Sequence, residues 1–249
     1  MPKVNCCCKQ CPITVTGRRS NIKIATFRPR MSELVCIFSL VVCAKILLVA
    51  TDGHDLAKEE KSLHTEMRTR LIQYGIMPDV LNEAPKHLVE VVYGEYYKIH
   101  FGNKVNPDFC SAPPKMTWPA DPKKFYTLLM VDPDQPSRLT PTDREFLLWL
   151  LVNIPGQKRL LGHTCAEYRP PEPDPGTGPH RFVYVVYEQP MGKIKSKEPY
   201  SDVFQNDTRQ RFNTKHFAEK YELGAPLAVN FFFGEKFSEE NATTSKSTT

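Results

Sequence analysis

The fold is indicated most directly by the stretch Tyr126-Thr-Leu-Leu-Met-Val-Asp132-Pro133-Asp134-Gln-Pro136-Ser-Arg138. Its first half is an unbroken apolar run, which is typical of a strand that is buried on both faces. Its second half places two carboxylates between prolines. Each proline fixes its own φ angle and favours an extended conformation in the residue before it. The stretch therefore predicts a buried strand that ends in a stiff acidic corner.

Two further apolar runs predict the rest of a sheet. None of the three runs alternates cleanly between apolar and polar residues, so each predicts a buried strand: residues 125–131, 146–154 and 182–188. Fifteen prolines stand from Pro107 to Pro190, and they leave no room for the helical crossovers that neighbouring parallel strands need. The pattern predicts a mainly β fold, with an antiparallel core and a few peripheral helices.

The two ends of the chain differ in composition from this body. Residues 1–30 are basic and contain no acid, which predicts a leader that is absent from the mature protein. Residues 31–50 carry the apolar run of a signal peptide or, if it is not cleaved, of a signal anchor. We predict a single domain over residues 55–237 and a disordered Ser- and Thr-rich tail at residues 238–249. The protein is then secreted, with a cytoplasmic location or an anchor at residues 34–50 as the alternatives.

The distribution of charge argues against a nucleic-acid partner. The formal net charge is +5, but residues 1–50 contain eight lysines or arginines and only one acid, Glu33. The rest of the chain carries −2, because its first fifty residues carry +7. A nucleic-acid-binding domain normally presents a basic surface.

Asp132, Asp134 and His180 are the candidate functional side chains. His180 belongs to Gly176-Thr-Gly-Pro-His-Arg181, directly before the third apolar run. Two carboxylates and an imidazole suit acid–base catalysis, a metal site or a polar headgroup site, whereas carboxylates that only end a strand are the simpler interpretation. The motifs of serine hydrolases, nucleotide-binding loops and zinc proteases are missing. We therefore predict no catalytic residue, no metal ligand and no cofactor.

Cysteines and sequons give weaker indications. Six of the eight cysteines precede residue 50, which leaves Cys110 and Cys165 in the body, either as one disulfide or as two buried thiols. Asn206-Asp-Thr208 and Asn241-Ala-Thr243 match the N-glycosylation sequon, which is relevant only if the protein is secreted.

The sequence resembles the phosphatidylethanolamine-binding proteins, also called Raf kinase inhibitor proteins. The resemblance rests on a D-P-D-x-P box at residues 132–136 and a G-x-H-R box at residues 178–181, and it extends over residues 65–233. It implies a β-sandwich-like domain without enzymatic activity, with a small surface pocket for phosphate or phosphoethanolamine-like groups. The residues that it implies for ligand binding are Asp132, Asp134, Pro136, His180, Trp118, Pro173, Leu148 and Phe182.

Some of these positions depart from the family pattern. Leu148 stands where the family has a second pocket histidine, Phe182 stands where tyrosine is common, and Glu172 and Asp174 add acids beside the pocket. Each lost donor removes a charge-assisted hydrogen bond of about 1.5–3 kcal/mol. The departures imply that phosphate binds about a hundredfold more weakly. The expected partner is a phospholipid headgroup or a small hydrophobic or polar ligand, with a protease or a kinase as alternatives. Membrane contact is expected to be peripheral unless the N-terminal segment is uncleaved.

Overall fold

The structure, a computed structural model, describes residues 61–237 of the chain. All of these residues lie in one compact unit. The predictions for the leader, the signal segment, the tail and the sequon at Asn241 concern residues outside the described part.

The described residues form ten strands: β1 (His87–Leu88), β2 (Glu90–Tyr93), β3 (Tyr97–Lys98), β4 (Asn103–Lys104), β5 (Lys115–Thr117), β6 (Phe125–Asp132), β7 (Phe146–Pro155), β8 (His163–Ala166), β9 (His180–Gln189) and β10 (Ala228–Gly234). The helices among residues 61–237 are short: α1 (61–73), α2 (Ile76–Asp79), α3 (Thr214–Lys220) and two 3₁₀ turns, Pro107–Cys110 and Arg159–Leu161. None of these helices is long and apolar enough to span a membrane.

The strands form two sheets. The large sheet has the order β1-β10-β9-β6-β7-β8, and β4 also pairs with β10, whereas the small sheet has the order β3-β2-β5. Every pair of strands is antiparallel except the parallel pairs that β10 makes with β1 and β4. The prediction of a mainly β, mainly antiparallel fold with a few helices is confirmed.

The three long central strands are buried on both faces. Leu129 and Val131 of β6 pack in a core that includes residues of all three helices, whereas Leu128 and Met130 pack in a second core against the small sheet. Because both faces of the large sheet are covered, its central strands have no polar face. This burial explains the apolar runs that predicted them.

β9, the strand of the third apolar run, begins earlier than that run indicated. β9 starts at His180, so the imidazole lies on the first residue of the strand and not in the preceding loop. His180 and Arg181 are both buried and belong to the sheet because they pair with Gly234 and Phe233 of β10.

The structure has two buried thiols and no disulfide between Cys110 and Cys165. Cys165 lies in the core on the helix-covered face of the large sheet, and Cys110 lies in the core on the opposite face. The sheet itself separates the two sulfur atoms, so the disulfide alternative is wrong for this structure.

Candidate functional site

The acidic corner and the histidine meet because of strand order. β6 and β9 are antiparallel neighbours, so the end of one strand lies beside the start of the other. The Nδ1 atom of His180 lies 2.7 Å from Oδ2 of Asp132, and the other oxygen of Asp132 accepts the backbone N–H of Asp134 at 2.8 Å. Nε2 of His180 lies 3.0 Å from the hydroxyl of Thr177. Both ring nitrogens of His180 therefore have partners.

Burial and pairing change the protonation of this pair. Burial raises the pKa of Asp132 above its usual value, despite the hydrogen bond with His180. For His180, burial acts to lower the pKa, but the hydrogen bond and charge of Asp132 outweigh it and raise the pKa. Each of the two shifts moves its group toward the protonated form.

Asp134 has a structural role, which corrects its assignment as a ligand-binding residue. Its carboxylate accepts Nε and Nη2 of Arg181 at 2.8 and 2.5 Å and also the backbone N–H of Arg181 at 2.8 Å. The side chain is fully buried, and Arg181 also contacts Asp79 of α2 at 3.0 Å. Asp134 thus ties β6 to β9 and α2, and its oxygens face a buried cation instead of a ligand.

A small cavity of about 90 Å³ opens beside Asp132. This volume corresponds to the share of about three water molecules in the liquid, so the cavity is small. Its lining combines apolar, amide and charged side chains: Asp132, Gln135, Phe146, Leu148, Arg169, Pro170, Glu172, Phe182, Asn206 and Gln210.

Three of the expected ligand-binding residues line this cavity, namely Asp132, Leu148 and Phe182. Pro136, Pro173 and His180 do not line it, although each is next in sequence to a lining residue or bonded to one. Trp118 is wrong as a pocket residue because it is buried between the two sheets, with its ring 6.2 Å from that of Tyr126.

Arg169 is the most important lining residue that the sequence reasoning missed. Its guanidinium lies 5.2 Å from the ring centre of Phe146, and Nη1 donates to Oδ1 of Asn206 at 2.5 Å. Within residues 61–237 no carboxylate comes within ion-pair distance of it. Arg169 therefore offers free donors to an anion in the cavity.

Asn206 and Gln210 reach the cavity from the loop of residues 202–212. Arg209 of this loop is fully buried, and its guanidinium donates only to backbone carbonyls: those of Leu147, Leu148, Glu167, Ser201 and Asp202. Burial lowers the pKa of Arg209 to about 10. Arg209 therefore connects the loop of residues 202–212 to β7 and to Glu167. These bonds hold one wall of the cavity in place.

The site thus combines two carboxylates, Asp132 and Glu172, with the guanidinium of Arg169. Such a set complements a ligand that carries both charges. Among residues 61–237 there is no group of three or more His, Cys, Asp or Glu side chains that could hold a metal ion.

The chain belongs to the phosphatidylethanolamine-binding protein family, because the model of that family matches residues 90–232, more than half of its length. The resemblance noted in the sequence is confirmed. The fold is therefore that of the phosphatidylethanolamine-binding proteins.

Two relatives are similar in sequence. A Drosophila melanogaster protein named as odorant-binding protein A5 is 35% identical over 166 residues, which cover 67% of this chain and 79% of that protein. The 26 kDa secreted antigen of Toxocara canis is 38% identical over 161 residues, which cover 65% of this chain. The match spans only 61% of the antigen's own length.

Two solved structures share the fold. The carboxypeptidase Y inhibitor, solved with its cognate proteinase, has a TM-score of 0.59 and 22% identity, with 70% of this chain and 96% of the inhibitor covered. The phosphatidylethanolamine-binding protein of Plasmodium vivax has a TM-score of 0.57 and 19% identity, with 68% and 97% covered. At these identities the likeness concerns the fold alone.

Proposed function

We propose that this protein is a secreted, non-enzymatic binding protein whose cavity takes a small ligand with both an ammonium and an anionic group. Phosphoethanolamine, free or as a phospholipid headgroup, has this chemistry. The observation that carries the proposal is that Asp132, Glu172 and Arg169 line the same cavity of about 90 Å³. An ammonium group would pair with the carboxylates, and an anionic group with Arg169.

Inorganic phosphate fits this cavity less well. It would gain the guanidinium of Arg169 but would meet the carboxylates of Asp132 and Glu172 without an ammonium group to offset them. Leu148 and Phe182 offer no donor on the facing wall. The ligand is thus selected by its amine as much as by its anion.

Secretion and the absence of catalysis have separate support. The names of the two relatives describe an odorant-binding protein and a secreted antigen, and residues 31–50 have the pattern of a signal peptide. Asp132 and His180 engage each other and Thr177, so neither offers a free base to a substrate. No cofactor is required for binding of this kind.

Calorimetric titration of phosphate and phosphoethanolamine against wild type and Leu148→His tests the proposal. The new histidine adds a donor beside Asp132, so we expect phosphate to bind the variant about a hundredfold more tightly than wild type. We expect wild type to bind phosphoethanolamine more tightly than phosphate. Leu139→His, at a loop position that is 95% exposed, is the control. Equal phosphate affinity of wild type and Leu148→His would refute the proposed ligand class.

An inhibitor that acts through protein contacts is the alternative function. Two exposed apolar side chains favour it: Leu139, and Phe204, which is 89% exposed and lies in the same loop as Asn206. Inhibition assays with secreted proteases and with cytosolic kinases, on wild type and on Leu139→Ser/Phe204→Ser, distinguish the two functions. A loss of inhibition in the double variant, with ligand binding retained, would support the inhibitor.

A further inference from the structure

Asn206 combines two properties. It lines the mouth of the cavity, and it is the acceptor residue of the sequon Asn206-Asp-Thr208. Its side chain is exposed, and its Oδ1 accepts Nη1 of Arg169 at 2.5 Å. Within residues 61–237 its Nδ2 makes no hydrogen bond, so the nitrogen that would carry a sugar is free in the folded protein.

We propose that Asn206 carries an N-linked glycan at the mouth of the cavity, and that this glycan admits soluble ligands while it excludes headgroups embedded in a bilayer. The proposal rests on the proposed function, because it requires secretion and a ligand of the headgroup type. It goes beyond that function because it states that the ligand is a free molecule and not a headgroup in a bilayer.

The modification is the transfer of a sugar from a lipid-diphosphate-linked oligosaccharide. Nδ2 of Asn206 forms a bond to the anomeric carbon of the first sugar, and the bond from that carbon to the diphosphate oxygen breaks. Nδ2 loses one proton, and the lipid diphosphate leaves with the bonding electrons. The carboxamide oxygen is unchanged, so the folded product retains an acceptor for Arg169.

The root of the glycan would be held at a defined place. The carbonyl of Asn206 accepts the backbone N–H of Arg209 at 2.9 Å and that of Gln210 at 3.1 Å. The buried guanidinium of Arg209 in turn binds this loop to β7 through the carbonyls of Leu147 and Leu148. A sugar on a loop anchored in this way stays beside the cavity instead of moving away from it.

The size of the glycan gives the selectivity. A hydrated oligosaccharide is bulky and stands on the protein surface. A bilayer cannot bring its headgroups to a cavity of about 90 Å³ when such a group stands at the opening. A free molecule the size of phosphoethanolamine passes beside it, because the glycan is attached to an exposed side chain and Oδ1 of that side chain, not Nδ2, bonds to Arg169.

The experiment uses the full chain secreted from eukaryotic cells as two matched variants. Asn241→Gln removes the other sequon, so glycosylation of the body is read at Asn206 alone. Thr208→Ala in addition removes the sequon at Asn206 but keeps the asparagine. Glycopeptide mass spectrometry gives the occupancy, calorimetry gives the affinity for phosphoethanolamine, and co-sedimentation gives binding to phosphatidylethanolamine vesicles.

We expect Asn206 to be occupied in Asn241→Gln. We expect its vesicle binding to be at least about tenfold weaker than that of the doubly substituted protein, with affinities for soluble phosphoethanolamine within about twofold. Because Thr208 accepts the hydroxyl of Ser201, Asn241→Gln produced in bacteria serves as a second glycan-free form that leaves both that contact and Asn206 intact.

An unmodified Asn206, or equal vesicle binding with and without the glycan, would overturn the inference. If the glycan-free proteins bind neither phosphoethanolamine nor vesicles, the proposed function is wrong. The selection of soluble ligands by the glycan is then wrong as well, while mass spectrometry still reports the occupancy of Asn206. Retention of the protein in the cytosol would instead refute secretion. The three failures are therefore distinguishable.

Discussion

Arg169 is the residue on which the charge selectivity of the cavity depends. We expect Arg169→Met to lower the affinity for phosphoethanolamine about tenfold to a hundredfold, because a charge-assisted contact of about 1.5–3 kcal/mol is lost while most of the side-chain volume is kept. Calorimetry measures the change. Arg211→Met, an exposed arginine in the same loop as Asn206, is the matched control and should leave the affinity unchanged.

Glu145 is a buried carboxyl next to the cavity residue Phe146. It accepts the N–H of Thr214 at 3.2 Å and also the hydroxyl of that residue. Burial raises the pKa of Glu145 to about 7, and the bonds from Thr214 only partly oppose this rise. In the unfolded chain the carboxyl ionises at its ordinary, lower pKa, so the folded state binds more protons between the two values. Stability is therefore highest below the unfolded pKa and falls as the pH rises to about 7.

Glu145→Gln tests this pH dependence. The amide cannot ionise, so the variant should gain on the order of 2–3 kcal/mol relative to wild type when the pH rises from about 5 to about 8. Denaturant titrations at a series of pH values measure the difference in free energy of unfolding. Glu219→Gln, on the exposed face of α3, is the control. Parallel pH profiles for wild type and Glu145→Gln would contradict the role given to this carboxyl.

Asp132 and Asp134 show how far sequence reasoning reaches at the residue scale. The two aspartates looked equivalent in the sequence, whereas in the structure only Asp132 lines the cavity. β6 ends at Asp132, and the chain then turns, so Asp134 faces Arg181 instead. Arg169 was missed because a single basic residue in a proline-rich loop has no periodicity or motif that indicates its direction.

At the scale of elements, the loop of residues 202–212 depends on Arg209. Arg209→Met would leave several buried carbonyls without a donor, so we expect a loss of about 2–4 kcal/mol in the free energy of unfolding. We also expect faster amide exchange in this loop than elsewhere in the chain. Arg211→Met is again the control, because its side chain is exposed. A variant at Arg209 with wild-type stability would show that the loop is held by other contacts.

The strands were predictable where burial left a continuous apolar run, as in β6 and β7, which begin and end within one residue of the predicted segments. The boundary of β9 was less accurate, because Gly178 and Pro179 indicate a turn up to the residue before His180. The parallel pairing of β10 with β1 and β4 was not predicted. Pairings between segments so distant in the chain leave no local signal in the sequence.

At the scale of the whole molecule, the large sheet divides the interior into two cores, and each core holds one thiol. Burial raises the pKa of Cys110 to about 12 and also raises that of Cys165. We expect neither peptide to react with a thiol reagent in the native protein and both to react after denaturation. Peptide mapping after alkylation without reductant checks this result. A peptide that links the two cysteines would show that the oxidised form exists.

β10 is an interior strand of the large sheet, between β9 and the edge strand β1, although it is the last strand of the chain. Asn230 of β10 donates to the carbonyl of Val89, 141 residues earlier. While the ribosome is still making the protein, the early strands therefore lack the neighbour that completes their sheet. β1 and β4 pair only with β10 in the large sheet, so they join it only after nearly all of the described residues have been made.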